Sequence, residues 1–464
     1  MINYLDLQDT IAAVATAPGL GAIAVIRISG TESINIASRL FKGKNLLAVA
    51  SHTAHLGYIC DENGRPVDQV LVTVFIGPNS YTREHVVEIS CHGSPYIQQQ
   101  LMELFMRNGA RMARQGEFTL RAFLNGQLDL AQAEAVADLI ASDSAASHEL
   151  AMKQIRGGFS NEIKKLREEL IHFASLIELE LDFGEEDVEF ANRKDLQDLV
   201  ERILGIIRKL MDSFQLGNVL RNGVSTVIAG RPNAGKSTLL NTLLNEERAI
   251  VSEIAGTTRD TIEENLNING VLFRLIDTAG IREAGDQIEA MGVQKTFEKI
   301  AQSTILVYVY DVIRTSPEEV EKDLSQLCKE GLSVLVIANK IDEIQEQNPL
   351  IANKIAMEIP LAHFQISAKY KDNIDAFKKA LYNLVLDGNI STESTVVTNL
   401  RHYQALNGAY ESLSSVLNGL SLHITGDFLA MDIRHALRYL GEITGTVDVE
   451  DLLENIFSKF CIGK

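Results

Sequence analysis

The sequence predicts a multidomain chain: an N-terminal α+β domain, then a helical domain that is interrupted by an inserted α/β domain with a mostly parallel sheet. Three observations carry this expectation. The 464-residue length exceeds one ordinary domain and suggests roughly two to four. The apolar pattern changes period twice, from short β-branched runs to helical stripes and then to strands alternating with helices. Helical blocks lie on both sides of the alternating block, which is the pattern an insertion leaves.

In chain order, residues 1–118 mix strands and helices. Gly21–Ser29, Val70–Ile76 and Val86–Ser90 are β-branched runs bounded by turn residues, and Tyr96–Met106 has helical spacing. Over 119–220 the period is helical: Ile163, Leu166, Leu170, Phe173 and Ile177 draw one apolar stripe, with Glu and Lys opposite. Residues 221–380 alternate strands (Val224–Ala229, Val271–Ile276, Thr304–Tyr310, Ser333–Ala338, Phe364–Ser367) with helices, the rhythm of a parallel sheet covered on both faces. Residues 381–464 pass through a polar stretch, Gly388–Ser394, and return to helices.

Composition narrows the function. Hydrophobic residues are 46% and charged residues 23%, as in ordinary globular proteins. No apolar run approaches the ~18–20 residues of a membrane span, and no basic-then-apolar leader opens the chain, so no membrane role is expected. The four cysteines, Cys60, Cys91, Cys328 and Cys461, lie far apart; a disulfide framework or structural zinc is not expected, and a reducing cytoplasm fits best. Cys91-His92 resembles a metal pair, but adjacent side chains of a strand point apart, so a structural role is expected. With a formal charge of −19, bulk attraction to nucleic acid is excluded, and contact would need a local basic patch or a partner.

The chemistry lies in the alternating block. Gly230-Arg-Pro-Asn-Ala-Gly-Lys-Ser237 fits G-x-x-x-x-G-K-[ST] between a strand and a helix, the context that a phosphate-cradling loop requires. Asn233, Ala234, Gly235, Lys236, Ser237 and Thr238 are therefore assigned to the phosphates, with Lys236 on the β- and γ-phosphates and the Ser237 hydroxyl on Mg²⁺. Asp277, Thr278, Ala279 and Gly280 follow a second strand; the Asp supports the Mg²⁺ shell and the Gly280 backbone senses the γ-phosphate. Asn339, Lys340 and Asp342 follow a third strand. The Asp342 carboxylate can accept the N1–H and 2-amino group of guanine, which adenine does not offer, while Ser367, Ala368 and Lys369 close the base pocket. In Gly256-Thr-Thr-Arg-Asp260, Thr258 is the candidate second Mg²⁺ ligand, present only with the γ-phosphate. Together these strings define a GTP site.

The position after the second motif separates this chain from Ras-type GTPases, which place a water-orienting Gln there. Ile281 occupies it here and cannot orient water. Asn233 has a side-chain oxygen suited to a monovalent cation beside the phosphates, and Glu289 lies in a polar stretch from which a carboxylate could orient the water.

The P-loop string, Gly256–Asp260, Asp277-Thr-Ala-Gly-Ile-Arg282, Gly116-Glu-Phe-Thr-Leu-Arg-Ala-Phe-Leu-Asn125, Leu128-Asp-Leu-Ala-Gln-Ala-Glu-Ala135 and the terminal Phe460-Cys-Ile-Gly-Lys464 together resemble the MnmE (TrmE) family of tRNA-modification GTPases, from about residue 10 onward. The resemblance implies a folate-binding, dimerising N-terminal domain, a discontinuous helical domain and an inserted Ras-like P-loop G domain. It implies K⁺ held by Asn233, Ser252, Ile254 and Thr257, with Glu253 and Ala255 in the same nucleotide-binding loop, and Glu289 as the catalytic glutamate. It places Arg27, Glu88, Gln127 and Lys464 around a 5-formyl- or 5,10-methylene-tetrahydrofolate, and Cys461 in the modification chemistry or in a half-buried structural role beside it. Many members have Lys where this chain has Gln127, which keeps a donor but loses a charge, so a folate group is held less strongly. The implied function is K⁺-stimulated GTP hydrolysis by a homodimer. It acts with a flavin- and NADH-dependent partner that helps add an aminomethyl or carboxymethylaminomethyl group at C5 of the wobble uridine of certain tRNAs. A ribosome-assembly or translation GTPase shares the nucleotide motifs, but it would be expected to carry a basic extension that this sequence lacks. A folate-dependent transferase with a vestigial G domain is disfavoured by the intact motifs.

Overall fold

The computed structural model describes residues 9–182, 192–246, 263–277, 300, 303–329, 332–347, 362–386, 395–447, 453, 456–458 and 460–463. The chain divides into two compact units: Met1–Ile140, Lys153–Leu204 and Ala405–Lys464 form one, and Ala141–Met152 with Gly205–Gln404 form the other.

The first unit opens on a seven-stranded sheet. Its strands are β1 (Ile11–Val14), β2 (Ile23–Ser29), β3 (Phe41–Lys42), β4 (Thr53–Cys60), β5 (Pro66–Phe75), β6 (Val86–His92) and β7 (Arg111–Met112), in the order β3-β4-β5-β6-β2-β1-β7. The predicted runs fall in β2, β5 and β6. Period-two alternation decides the faces: Val87, Ile89 and Cys91 are buried, while Glu88, Ser90 and His92 point the other way. Helices α1 (Ser33–Leu40) and α2 (Pro95–Arg107) cover the apolar face around a core that includes Ile26, Ile28, Val72, Ile89 and Phe105.

Helices α3 (Glu117–Leu124), α4 (Leu130–Ala141), α5 (Ala145–Ile155), α6 (Gly158–Asp182) and α7 (Arg193–Asp212) follow. On α6 the predicted stripe is buried at Ile163, Leu166, Leu170 and Ile177, with Phe173 half-buried, and the helix packs against Gly426–Thr444. Each fully buried aliphatic side chain of such a stripe contributes about 1.5–3 kcal/mol relative to exposure.

The second unit holds a six-stranded sheet. Its strands are β8 (Val224–Ala229), β9 (Glu263–Ile268), β10 (Val271–Asp277), β11 (Ile305–Asp311), β12 (Ser333–Asn339) and β13 (Ala362–Ile366), ordered β13-β12-β11-β8-β10-β9. All neighbouring pairs are parallel except β9–β10. The expected strands are all present, and β9 is an addition. Its Glu-Glu-Asn-Leu-Asn-Ile composition hides it, although the following Asn269-Gly270 marks a hairpin turn, with φ of 50° and 88°. Among the described residues no helix is long and apolar enough to cross a membrane.

Candidate functional site

The P-loop leaves β8 at Ala229 and enters helix α9 (Lys236–Glu246), so its amides gather at a helix N-terminus. Its glycines are required by close approach. A Cβ on Gly230 (φ 149°) would lie 1.9 Å from the Val309 carbonyl, and one on Gly235 (φ 91°) would lie 2.2 Å from Asn339 Nδ2. Asn233 adopts the left-handed conformation (φ 61°) and is exposed at the rim with Ser237 and Thr238, while Ala234 is buried. The Lys236 ammonium donates to the Gly230 and Arg231 carbonyls, both at 2.9 Å.

Asn339, at the end of β12 and 2% exposed, joins three of the predicted motifs. Its Nδ2 donates to the Ala234 carbonyl at 2.9 Å, and its Oδ1 accepts from the Ala368 amide at 3.0 Å. The Thr242 hydroxyl donates to the Ala368 carbonyl at 2.9 Å. Asp342 is half-buried in the first turn of the helix Ile341–Gln347, Ser367 is fully buried, and exposed Lys369 lies 4.9 Å from the Tyr370 ring centroid. The structure thus brings together the phosphate loop and both base-reading loops at the C-terminal ends of parallel strands.

Two supporting groups escaped the sequence reading. Lys340 (φ 70°) donates to Asp311 Oδ2 at 2.7 Å. Burial would raise the Asp311 carboxyl, but the bond from Lys340 and the Ile313 and Arg314 amides outweigh it and hold the group below its ordinary value. Arg231 is pinned to Asp323 and Glu319 on the helix Pro317–Leu327, and the Tyr308 hydroxyl donates to Asp323 at 2.6 Å. The expected residues Ser252, Glu253, Ile254, Ala255, Gly256, Thr257, Thr258, Thr278, Ala279, Gly280, Glu289 and Lys464 lie outside the described residues, and of Asp277 only the backbone is described.

In the first unit, Arg27 and Glu88 face one another across β2 and β6, and Arg27 Nε and Nη2 donate to one Glu88 oxygen at 2.9 and 2.7 Å. The guanidinium carbon lies 5.4 Å from the Tyr81 ring centroid and 5.7 Å from that of Phe118. Burial pushes the Tyr81 phenol up, and its hydroxyl pairs with Thr119 at 2.9 Å. The C-terminal segment reaches the same end of the sheet. Ile462 bridges Gln115, and a Cβ on Gly463 (φ 97°) would lie 2.4 Å from the carbonyl of Val14, next in β1 to the Ala13 that pairs with Arg27. Cys461 is exposed, which corrects the half-buried alternative: its neighbours on the bridge hold the backbone and leave the thiol outward. Gln127 is exposed, and its amide donates to the Ala122 carbonyl at 2.8 Å.

Cys91 and His92 do point apart. Burial and Asp68 push the Cys91 thiol up to about 11, while exposed His92 pairs with Asp68 at 2.7 Å. The Gly116–Asn125 string also carries an ion network that the sequence reading missed. Arg121, 2% exposed, donates to Asp9, Glu84 and Glu117, and Arg111 donates to Asp9 and Glu117. The available signal was the Glu117–Arg121 spacing of four on one helix.

A glycine-lined phosphate loop stitched by a buried Asn to two base-reading loops, on an α/β sheet, defines the class of P-loop GTPases. The family described as "MnmE helical domain" matches residues 130–461, and "GTP-binding protein TrmE N-terminus" matches residues 10–127. Proteins named "tRNA modification GTPase MnmE" are similar over the whole chain. That of Cytophaga hutchinsonii is 56% identical over 98% of both chains, and that of Flavobacterium johnsoniae is 53% identical over 100% of both. That of Bacteroides thetaiotaomicron is 49% identical over 98% of this chain and 100% of its own. The chain belongs to the MnmE family.

Proposed function

We propose that this chain is a K⁺-stimulated GTP hydrolase of tRNA modification, working as a cytoplasmic homodimer with a flavin- and NADH-dependent partner at C5 of the wobble uridine of certain tRNAs. The observation that carries the GTPase reading is the Asn339 staple, which fixes the phosphate loop and the Ser367–Lys369 loop at once. The P-loop amides and Lys236 hold the triphosphate, and Asp342 reads guanine. Ser237 and Thr258 are suited to Mg²⁺, which would neutralise the phosphates when bound. Asn233, left-handed at the rim, would offer its side-chain oxygen to K⁺ together with Ser252, Ile254 and Thr257. Glu289 is assigned the water-orienting role that Ile281 cannot fill.

For the N-terminal unit we infer a one-carbon tetrahydrofolate, as 5-formyl or 5,10-methylene. The Arg27–Glu88 pair, flanked by Tyr81 and Phe118, supplies donors, an acceptor and ring faces of the kind a pterin uses. Gln127 and Lys464 complete the assigned set, and the outward thiol of Cys461 is available for chemistry. The homodimer reading is supported by Ile23, Leu56, Tyr58 and Leu71, large apolar residues exposed on the sheet strands.

Steady-state GTP hydrolysis in KCl against NaCl at equal ionic strength tests the mechanism. K⁺ should raise the rate by about tenfold or more, and Glu289→Ala should lower it by about 10²–10⁴-fold with near-normal GTP affinity. Equal rates in the two salts refute the cation-assisted account and leave the GTP site standing.

A further inference from the structure

Resting on the reading of a GTPase that serves a distant modification site, we propose that the β9–β10 hairpin and helix α5 form a mechanical strut that conveys nucleotide state into the N-terminal unit. Gly270 and Gln132 are its two end contacts. The hairpin is tied to the nucleotide at its open end: β9 begins five residues after Thr258, and β10 ends on Asp277. Between them runs an unbroken ladder from Ile276↔Glu263 to Val271↔Ile268, so displacement at either nucleotide-sensing end moves the tip.

The tip is docked. The Gly270 carbonyl accepts from the Ala146 amide at 3.3 Å, and a Cβ on Gly270 would lie 3.6 Å from the Ala145 Cβ. Ala146 sits in the first turn of α5, where backbone amides lack helical partners. Ser144 caps the Ser147 amide at 3.1 Å, and the hairpin caps the Ala146 amide. Helix α5 belongs to both units: residues through Met152 group with the nucleotide unit, and those from Lys153 with the other.

At its far end the Ile155 carbonyl accepts from Gln132 Nε2 at 2.9 Å. Gln132 stands in a capping box with Asp129 at the start of α4, with bonds of 2.9 and 3.0 Å. In turn α4 packs Leu130 and Ala133 against Phe457 and Phe460, just before Cys461. A continuous set of rigid elements thus runs from the nucleotide-sensing loops to the residues assigned to the one-carbon site.

Two variants sever the strut without touching either site. Gln132→Glu keeps the capping acceptor but removes the donor to Ile155, and Ala146→Pro deletes one amide in a helical turn that tolerates proline. The measurement is hydrogen exchange of full-length protein, with GDP and with a non-hydrolysable GTP analogue, read over residues 128–135 and 456–463. Wild type should show a nucleotide-dependent difference there; both variants should lose it by about threefold or more, with GTP hydrolysis within about twofold of wild type. Identical exchange in the two nucleotides in wild type, or a full difference kept in both variants, overturns the proposal. A parallel loss of hydrolysis also overturns it, since the residues would then merely maintain the nucleotide unit. Hydrolysis by wild type in the same samples tests the GTPase reading separately.

Discussion

The nucleotide site and the Arg27 site are built from different materials. Around Gly230–Ser237 the binding groups are mainly backbone amides whose positions are fixed by glycines and by Asn339. Around Arg27 they are side chains held by other side chains, Glu88, Tyr81 and Phe118, with the Arg121 network nearby in sequence. A backbone site is damaged by adding a methyl group, whereas a side-chain site is damaged by removing a charge.

That contrast is open to measurement. The largest effect is expected from Arg121→Met, which strands Asp9, Glu84 and Glu117 without their shared guanidinium and should cost about 3–5 kcal/mol, read by chemical denaturation. An unchanged midpoint would show that the network is replaceable by packing. Next is Gly235→Ala, whose Cβ cannot coexist with Asn339 Nδ2. It should weaken GTP binding by about a hundredfold in titration calorimetry, about 3 kcal/mol, while near-normal affinity would remove the backbone argument. Arg27→Met should weaken tetrahydrofolate binding by about tenfold and leave GTP binding alone. The smallest effect is on acid stability. Guanidinium partners outweigh burial at Asp9 and Glu117 and hold both carboxyls below their ordinary 3.8 and 4.5. Their contribution is therefore complete above those values and lost as pH falls through the lowered ones, so the melting temperature should drop below about pH 4. The Arg121→Met protein should show a shallower drop.

The same contrast explains what the sequence disclosed. The phosphate loop was legible because one continuous string both bends the backbone and supplies the groups. Its strands were legible because both faces are covered, as in Tyr308 and Val309, buried on opposite sides of β11. Arg27 and Glu88 meet only through strand register across 61 positions, so no spacing rule finds them, and they entered through family resemblance. Asp311 and Arg231 were missed for the same reason: their partners, Lys340 and Asp323, are adjacent in space and distant in sequence. Strand β9 was missed because an edge strand with polar residues lacks the alternation that marks a half-buried one.

Asn339 spends both of its amide atoms on protein backbone, one on each side of the nucleotide. The energies of gripping the base and gripping the phosphates are therefore not separate quantities in this molecule. Inorganic triphosphate and free guanosine, measured singly, should together account for less affinity than GTP does, and the shortfall is the coupling that one side chain imposes.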